Sequence, residues 1–154
     1  MVAGRVTKIV AAGILVLSFG AAVAYAATAE EAIKGRQACM KAHGAMMGVM
    51  VPMIKGEKPY DAAAVQASVA SNDAPCAGWA DWWGEDTKPG GATETWAKDE
   101  IWSDKAGFEA AGAKFVEAIT AVAKTTDEAG FKAAFPALGG SCQGCHEKFR
   151  RPKE

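Results

Sequence analysis

The chain has 154 residues, 17 basic against 18 acidic side chains, and half of its residues are apolar. That balance, with no basic stripe and no Gly-Lys phosphate loop, excludes nucleic acid as a partner and phosphate-loop chemistry as an activity. So high an apolar content argues for a packed core rather than disorder.

Residues 1–26 read as a leader. Arg5 and Lys8 precede a run from Ile9 to Ala24 without a charge, which ends in Ala24-Tyr25-Ala26. A basic start, an apolar middle and a small-x-small end form the pattern of a secretory signal peptide, cut after Ala26. An uncleaved anchor is the competing reading; the Ala and Gly content and the small residues at the end favour cleavage. Without Arg5 and Lys8 the remainder, residues 27–154, keeps 15 basic and 18 acidic side chains, enough chain for one domain.

From Glu30 to Ile54 the apolar pattern is helical. Ile33, Met40, Met47 and Ile54 recur by seven, with Gln37, Gly44 and Val51 between them, which predicts one buried face. Pro52 marks the last turn or a kink. After the charged turn Lys55-Gly56-Glu57-Lys58-Pro59, Asp61 caps a second helix, which stops by Asn72-Asp73-Ala74-Pro75. A third begins after Ser103, with Phe108, Ala111, Phe115, Ile119 and Val122 at steps of three and four. Thr125 with Glu128 predicts a capping box for a fourth, whose face runs Phe131, Phe135, Leu138, Cys142, Cys145, Phe149. Four amphipathic helices with short turns predict an all-α fold, an antiparallel four-helix bundle.

The crossover from about residue 76 to 102 is the exception, rich in Gly and holding Trp79, Trp82, Trp83, Trp96 and Trp102. It is either a lid burying apolar surface or a docking surface for a partner, since exposed Trp is enriched at interfaces.

The fourth helix carries Cys142-Gln143-Gly144-Cys145-His146. Zinc, a dithiol redox pair and covalent haem attachment all use closely spaced Cys and His. Structural zinc needs four ligands, and a second pair from Cys39 with Cys76 or His43 has no familiar finger spacing. A redox pair normally opens a helix after a strand, where the helix end acidifies the first thiol; this pair comes late in a helix with no strand before it. Haem attachment remains: two cysteines a turn apart for two thioethers to haem c, and His146 for an axial nitrogen. The two glycines Gly139 and Gly140 cost roughly 1 kcal/mol each in helix propensity, a cost explained if a flat macrocycle approaches the backbone there. Export matches, because c-type haem is attached in the bacterial periplasm.

The segments "IKGRQACM", "KGEKPYDAAA", "EIWSD" and "GSCQGCHEKFR" resemble, in the same order, segments of cytochrome c-prime and its low-spin relatives, from about Ala32 to Arg150. The resemblance implies a four-helix bundle in the periplasm enclosing one covalent haem, with His146 as proximal ligand and Met40 at the distal position. In the high-spin members the distal residue shields a vacant iron site that admits small gases such as nitric oxide or carbon monoxide. In the low-spin relatives a Met there binds iron and the protein carries electrons. Methionine is soft and unbranched enough to do so, but a helix with Met40, Met46, Met47, Met50 and Met53 can equally be using them as packing. His43, three residues on, is a competing ligand or a hydrogen-bonded surface residue.

The resemblance places Arg36 near a haem propionate; the alternative is a solvated helix residue. Arg150, four residues after His146, falls on the same helix face, where its charge raises the reduction potential or serves the helix C-terminus. Cys39 and Cys76 are left over, which in an oxidising compartment suggests a disulfide, against a buried thiol at Cys39. The partners expected are a periplasmic redox protein or a small gas ligand, and the family implies a homodimer through the first two helices. Peroxidase chemistry is a distant alternative, since no distal His-Arg acid-base pair is presented.

Overall fold

The computed structural model describes residues 27–152, so the leader expected over residues 1–26 lies outside the described residues. Helix α1 runs Ala29–Ile54. Its first turn is closed reciprocally: the Glu31 amide donates to the Thr28 hydroxyl at 3.2 Å, and the Thr28 amide donates to the Glu31 carboxylate at 2.8 Å, a capping box. Pro52 falls in the last turn, where its missing amide removes one ladder bond near the end. Gly56 then takes φ +74°, the left-handed turn that a residue without Cβ adopts freely after a helix.

Helix α2 (Ala62–Ala70) is capped by Asp61, which accepts from the Ala64 amide at 3.0 Å. The helical path then resumes for one turn as α3 (Asp73–Cys76), beyond the expected stop. Pro75 is tolerated because first-turn amides have no partner in the helix. Two 3-10 turns, Trp79–Asp81 and Glu85–Thr87, and the short helix α4 (Glu100–Ser103) break up the crossover. Helices α5 (Lys105–Ala123) and α6 (Glu128–Phe149) complete the chain.

Cross-links between helices fix their directions. Cys39 of α1 is joined by a disulfide to Cys76, while Met46, further along α1, accepts a 3.4 Å bond from Asn72, earlier in the chain than Cys76. Rising numbers on one side meet falling numbers on the other, so the pair is antiparallel. Likewise Asp104 at the head of α5 pairs with Lys148 near the end of α6, and the Phe108 and Phe149 rings lie 5.2 Å apart. Tyr60 ties the two hairpins: its hydroxyl donates to the Thr125 carbonyl at 2.9 Å, and its ring lies 5.2 Å from Phe131. The expected antiparallel four-helix bundle is the architecture found, with α2 and α3 together forming its second member.

The main core is built from Met46, Met50, Met53, Val65, Val122, Phe131 and Leu138, and a second cluster from Ile101, Trp102 and Phe149. Two expectations are corrected. The buried face of α1 is Ile33, Arg36, Cys39, Met46, Met50 and Met53, about one residue around from the predicted Met40–Met47–Ile54 row, which is only half-buried, while Gln37 and Gly44 are exposed. Apolar residues flank both rows from Met46 onward, so periodicity there could not choose; the buried Arg36 and the disulfide at Cys39 did. At α6 the cap is Asp127, which accepts from the Gly130 amide at 2.7 Å, and not Thr125. The Thr125 hydroxyl instead donates to the Val122 carbonyl at 2.8 Å and meets Tyr60.

The crossover folds back as a lid. Trp82 wedges between Gly35 and Gly78, where a Cβ would come within 2.6 and 2.5 Å of the indole. Trp83 packs edge-on to Trp79, Trp102 and Phe108. Trp96 is the exception at 37% exposed, with the Arg150 guanidinium 4.6 Å from its ring centroid. Past α6 the chain is extended and pairs with the crossover: Lys98 donates to the Phe149 carbonyl at 3.0 Å and Arg151 to that of Trp96 at 2.7 Å. No helix among the described residues is long and apolar enough to cross a membrane.

Candidate functional site

Cys142 and Cys145 lie half-buried on α6, a turn apart, and neither is in a disulfide. Cys142 packs against the main core and Cys145 against the Ile101–Trp102–Phe149 cluster. Burial pushes both thiols up, and for Cys145 a charged Cys142 adds to it. They also sit far from the positive end of α6 at Glu128. A dithiol redox pair needs a stabilised thiolate; at Cys142 burial outweighs the hydrogen bonds from Ser141 and the backbone that would favour one. The two sulfurs are instead partly sheltered among apolar neighbours, one turn apart.

His146 follows on the exposed side of α6. Burial of part of the ring and then the charge of Arg150 lower its pKa, which keeps the imidazole neutral and a nitrogen lone pair available. Arg150 does this from outside the helix: the expected helical i,i+4 placement is corrected, since α6 ends at Phe149 and Arg150 is extended at φ −123°, ψ 134°.

Arg36 is 5% exposed, so the solvated alternative does not hold. Its Nη2 donates to the Thr87 carbonyl at 3.0 Å, and its guanidinium lies 4.5 Å from the Trp83 ring centroid and 5.9 Å from that of Trp102. Burial pulls its pKa down to about 10, so it stays charged at neutral pH. Yet Nε and Nη1 have no partner, and neither has the nearby Trp83 Nε1. Buried donors left unpaired on a cation are costly, and together they define a place for an acidic group. Trp102 and Phe149 carry this cage directly to Cys145.

Met40 lies one turn beyond Arg36 and is half-buried. Among the described residues, the methionines that build the core are Met46, Met50 and Met53, with Met47 packed against them. Met40 belongs to neither apolar cluster. His43 stands with its Nε2 3.8 Å from Cys39 Sγ and 3.6 Å from Cys76 Sγ, and its ring 4.7 Å from that of Phe115. Burial lowers its pKa, and so does the charge His146 can carry; α1 and α6 therefore bring the two histidines within electrostatic reach.

Between α5 and α6 runs a groove of about 670 Å³, lined by Ala111, Ala118, Gly140, Ser141, Gly144 and Cys145. A Cβ on Gly140 or Gly144 would meet nothing within 4 Å, so the small residues leave open space beside the Cys pair. Sequence reasoning missed Trp83, Trp102 and Thr87 as partners of Arg36. Their positions in an irregular crossover carry no periodic signal; only the local concentration of Trp hinted at them.

Residues 31–150 match the family described as Cytochrome C'. The chain is 35% identical over 128 residues to a cytochrome c' of Alcaligenes xylosoxydans xylosoxydans, covering 80% of this chain and 96% of that one. To a cytochrome c-556 of Agrobacterium fabrum it is 34% identical over 137 residues, 88% of this chain and 91% of the relative. Among solved structures, a nitric oxide complex of a variant cytochrome c prime from Alcaligenes xylosoxidans superposes with a TM-score of 0.69 at 33% identity, over 82% of this chain and 98% of that one. The chain belongs to the cytochrome c' family, haem c proteins that carry one covalent haem in a four-helix bundle.

Proposed function

We propose that this protein is a periplasmic electron carrier, with Cys142 and Cys145 holding haem c by thioethers, His146 on one side of the iron and Met40 on the other. Haem supplies a one-electron centre whose potential the protein tunes. The chain's own residues do the rest. Arg36, with Nε and Nη1 unpaired beside Trp83 Nε1, would take a propionate and neutralise it in a site closed to water. Gly140 and Gly144 leave room along α6. His146 is kept neutral by burial and by Arg150, and Arg150 disfavours imidazolate character as well, which raises the potential.

The observation that carries the choice of electron transfer is the standing of Met40. The packing role that a methionine-rich helix suggests is filled by Met46, Met47, Met50 and Met53, and Met40 is left aside, half-buried, a turn from Arg36. Two axial ligands limit the change of geometry between ferrous and ferric iron, which suits fast electron exchange. A second reading has an observation of its own: a structural relative is a nitric oxide complex, and Met40 would then gate an open iron site for nitric oxide or carbon monoxide.

Visible spectra of the purified holoprotein, oxidised and reduced, with and without carbon monoxide, separate the two. Sharp low-spin bands, a weak sulfur-to-iron band in the far red and no response to carbon monoxide are expected. A broad high-spin spectrum that shifts with carbon monoxide replaces the electron carrier with the gas-binding protein.

A further inference from the structure

Apart from the haem reading, the structure holds a second cluster of metal-ligating side chains. Cys39 and His43 are four residues apart on α1, hence on one face, and Cys76 ends α3 against them. The sulfur and nitrogen atoms of the three lie within 4.8 Å of one another. His43 Nε2 faces both sulfurs, at 3.8 and 3.6 Å. In tetrahedral zinc coordination, with Zn–S about 2.3 Å and Zn–N about 2.0 Å, a sulfur and a nitrogen stand about 3.5 Å apart and two sulfurs about 3.8 Å apart. The imidazole therefore already stands at close to ligating separation from both sulfurs. The sulfur–sulfur bond occupies both thiolate ligand positions, and its reduction lets the two sulfurs part to the separation a zinc ion requires.

We infer that the Cys39–Cys76 disulfide is the oxidised form of a zinc site, and that reduction turns Cys39, Cys76 and His43 into three ligands for Zn²⁺ with a fourth position open to water. The change balances with a dithiol reductant. It supplies two electrons and two protons, the Cys39–Cys76 bond breaks to two thiols, and the reductant closes to its own disulfide. Zn²⁺ then binds the two thiolates and the neutral imidazole, and the two thiol protons pass to water. Two thiolates with one imidazole suit zinc, and exclude the oxygen-seeking calcium and magnesium. Cys39 is 1% exposed, so its thiolate has little access to water and gains most from the metal. The sulfur bond and the metal hold the same two elements together, so α1 stays tied to α3 in either state.

The test uses the holoprotein, whose Cys142 and Cys145 are taken up by haem. It is reduced with dithiothreitol, desalted without oxygen, given a small excess of Zn²⁺ and desalted again. Metal analysis should then find one zinc per chain, and none in oxidised protein or in protein reduced and alkylated with iodoacetamide. X-ray absorption at the zinc edge, which the haem iron does not obscure, should show two sulfur neighbours with nitrogen or oxygen completing the shell. His43→Ala should weaken zinc at least tenfold, and zinc should raise the Tm of reduced protein while leaving oxidised protein unchanged. Zinc absent from the reduced form, equal zinc in the alkylated form, a shell without sulfur, or full affinity in His43→Ala would each overturn the assignment.

Discussion

The two halves of the bundle are held together differently. The α5–α6 hairpin joins regular helices through repeated small and apolar residues, with one short turn between them and Asp127 as its cap. The half made by α1, α2, α3 and the crossover shares the main core through Met46, Met50, Met53 and Val65, and adds single, specific contacts: a disulfide, an indole fitted between two glycines, and a guanidinium held between tryptophans. Distributed packing degrades gradually, because many small contacts share the load. Contacts made by a single residue pair are lost one at a time.

The largest expected effect comes from the disulfide. Cys39 and Cys76 are 37 residues apart, and closing a loop of that length stabilises by roughly 4 kcal/mol in the chain-entropy model. Cys39→Ser with Cys76→Ser should lower the Tm by roughly 10–15 °C, with hydrogen exchange speeding first in α2, α3 and the crossover. Equal loss of protection in α5 and α6 would erase the contrast between the halves.

Next is Gly35→Ala. The new Cβ would come within 2.6 Å of the Trp82 ring, and the indole has Gly78 on its other side, so it has little room to retreat. A loss of about 1–3 kcal/mol is expected, together with a change in Trp fluorescence as the lid lifts. Gly112→Ala on α5, where a Cβ meets nothing within 4 Å, is the control and should stabilise by roughly 0.5–1 kcal/mol through helix propensity.

The smallest effect sharpens the other side of the comparison. Asp104 accepts from the Gly107 amide at 3.0 Å and from Lys148, and these bonds, the one to Lys148 foremost, lower its pKa. A carboxyl depressed on folding contributes stability that is fully present above its unfolded value of about 3.9 and is lost as pH falls through the lowered folded value. Lys148→Met should therefore leave Tm little changed near pH 7, since the pair is exposed, and should flatten the fall of Tm below pH 4. An unchanged acid limb would mean that the Gly107 cap alone depresses Asp104.

How far the chain could be read without coordinates follows the same division. The α6 stripe from Phe131 to Phe149 was legible because its apolar residues recur at helical spacing and all turn inward, onto the main core and then onto the Ile101–Trp102 cluster, and the stripe runs on through Pro136, Gly139 and Gly140, which on local propensity should have stopped it. On α1 the same reasoning chose a face about one residue off, because apolar residues lie on both sides and the true face includes a charged residue. A buried arginine is invisible to a rule that counts arginine as surface. Nor did the Thr125 and Glu128 pattern distinguish a cap from a threonine reserved for Tyr60.

Composition, periodicity and the Cys-x-x-Cys-His run were enough to settle the helical bundle and to point to haem, because covalent attachment is a local matter of spacing along one helix. The disulfide, the tryptophan cage around Arg36 and the setting of Met40 outside the packed core were decided in three dimensions. Each depends on atoms brought together from distant stretches: Cys39 with Cys76, Arg36 with Trp83 and Thr87, His43 with both sulfurs. Spacing along a helix cannot encode a meeting across the bundle, since that meeting depends on which face turns inward.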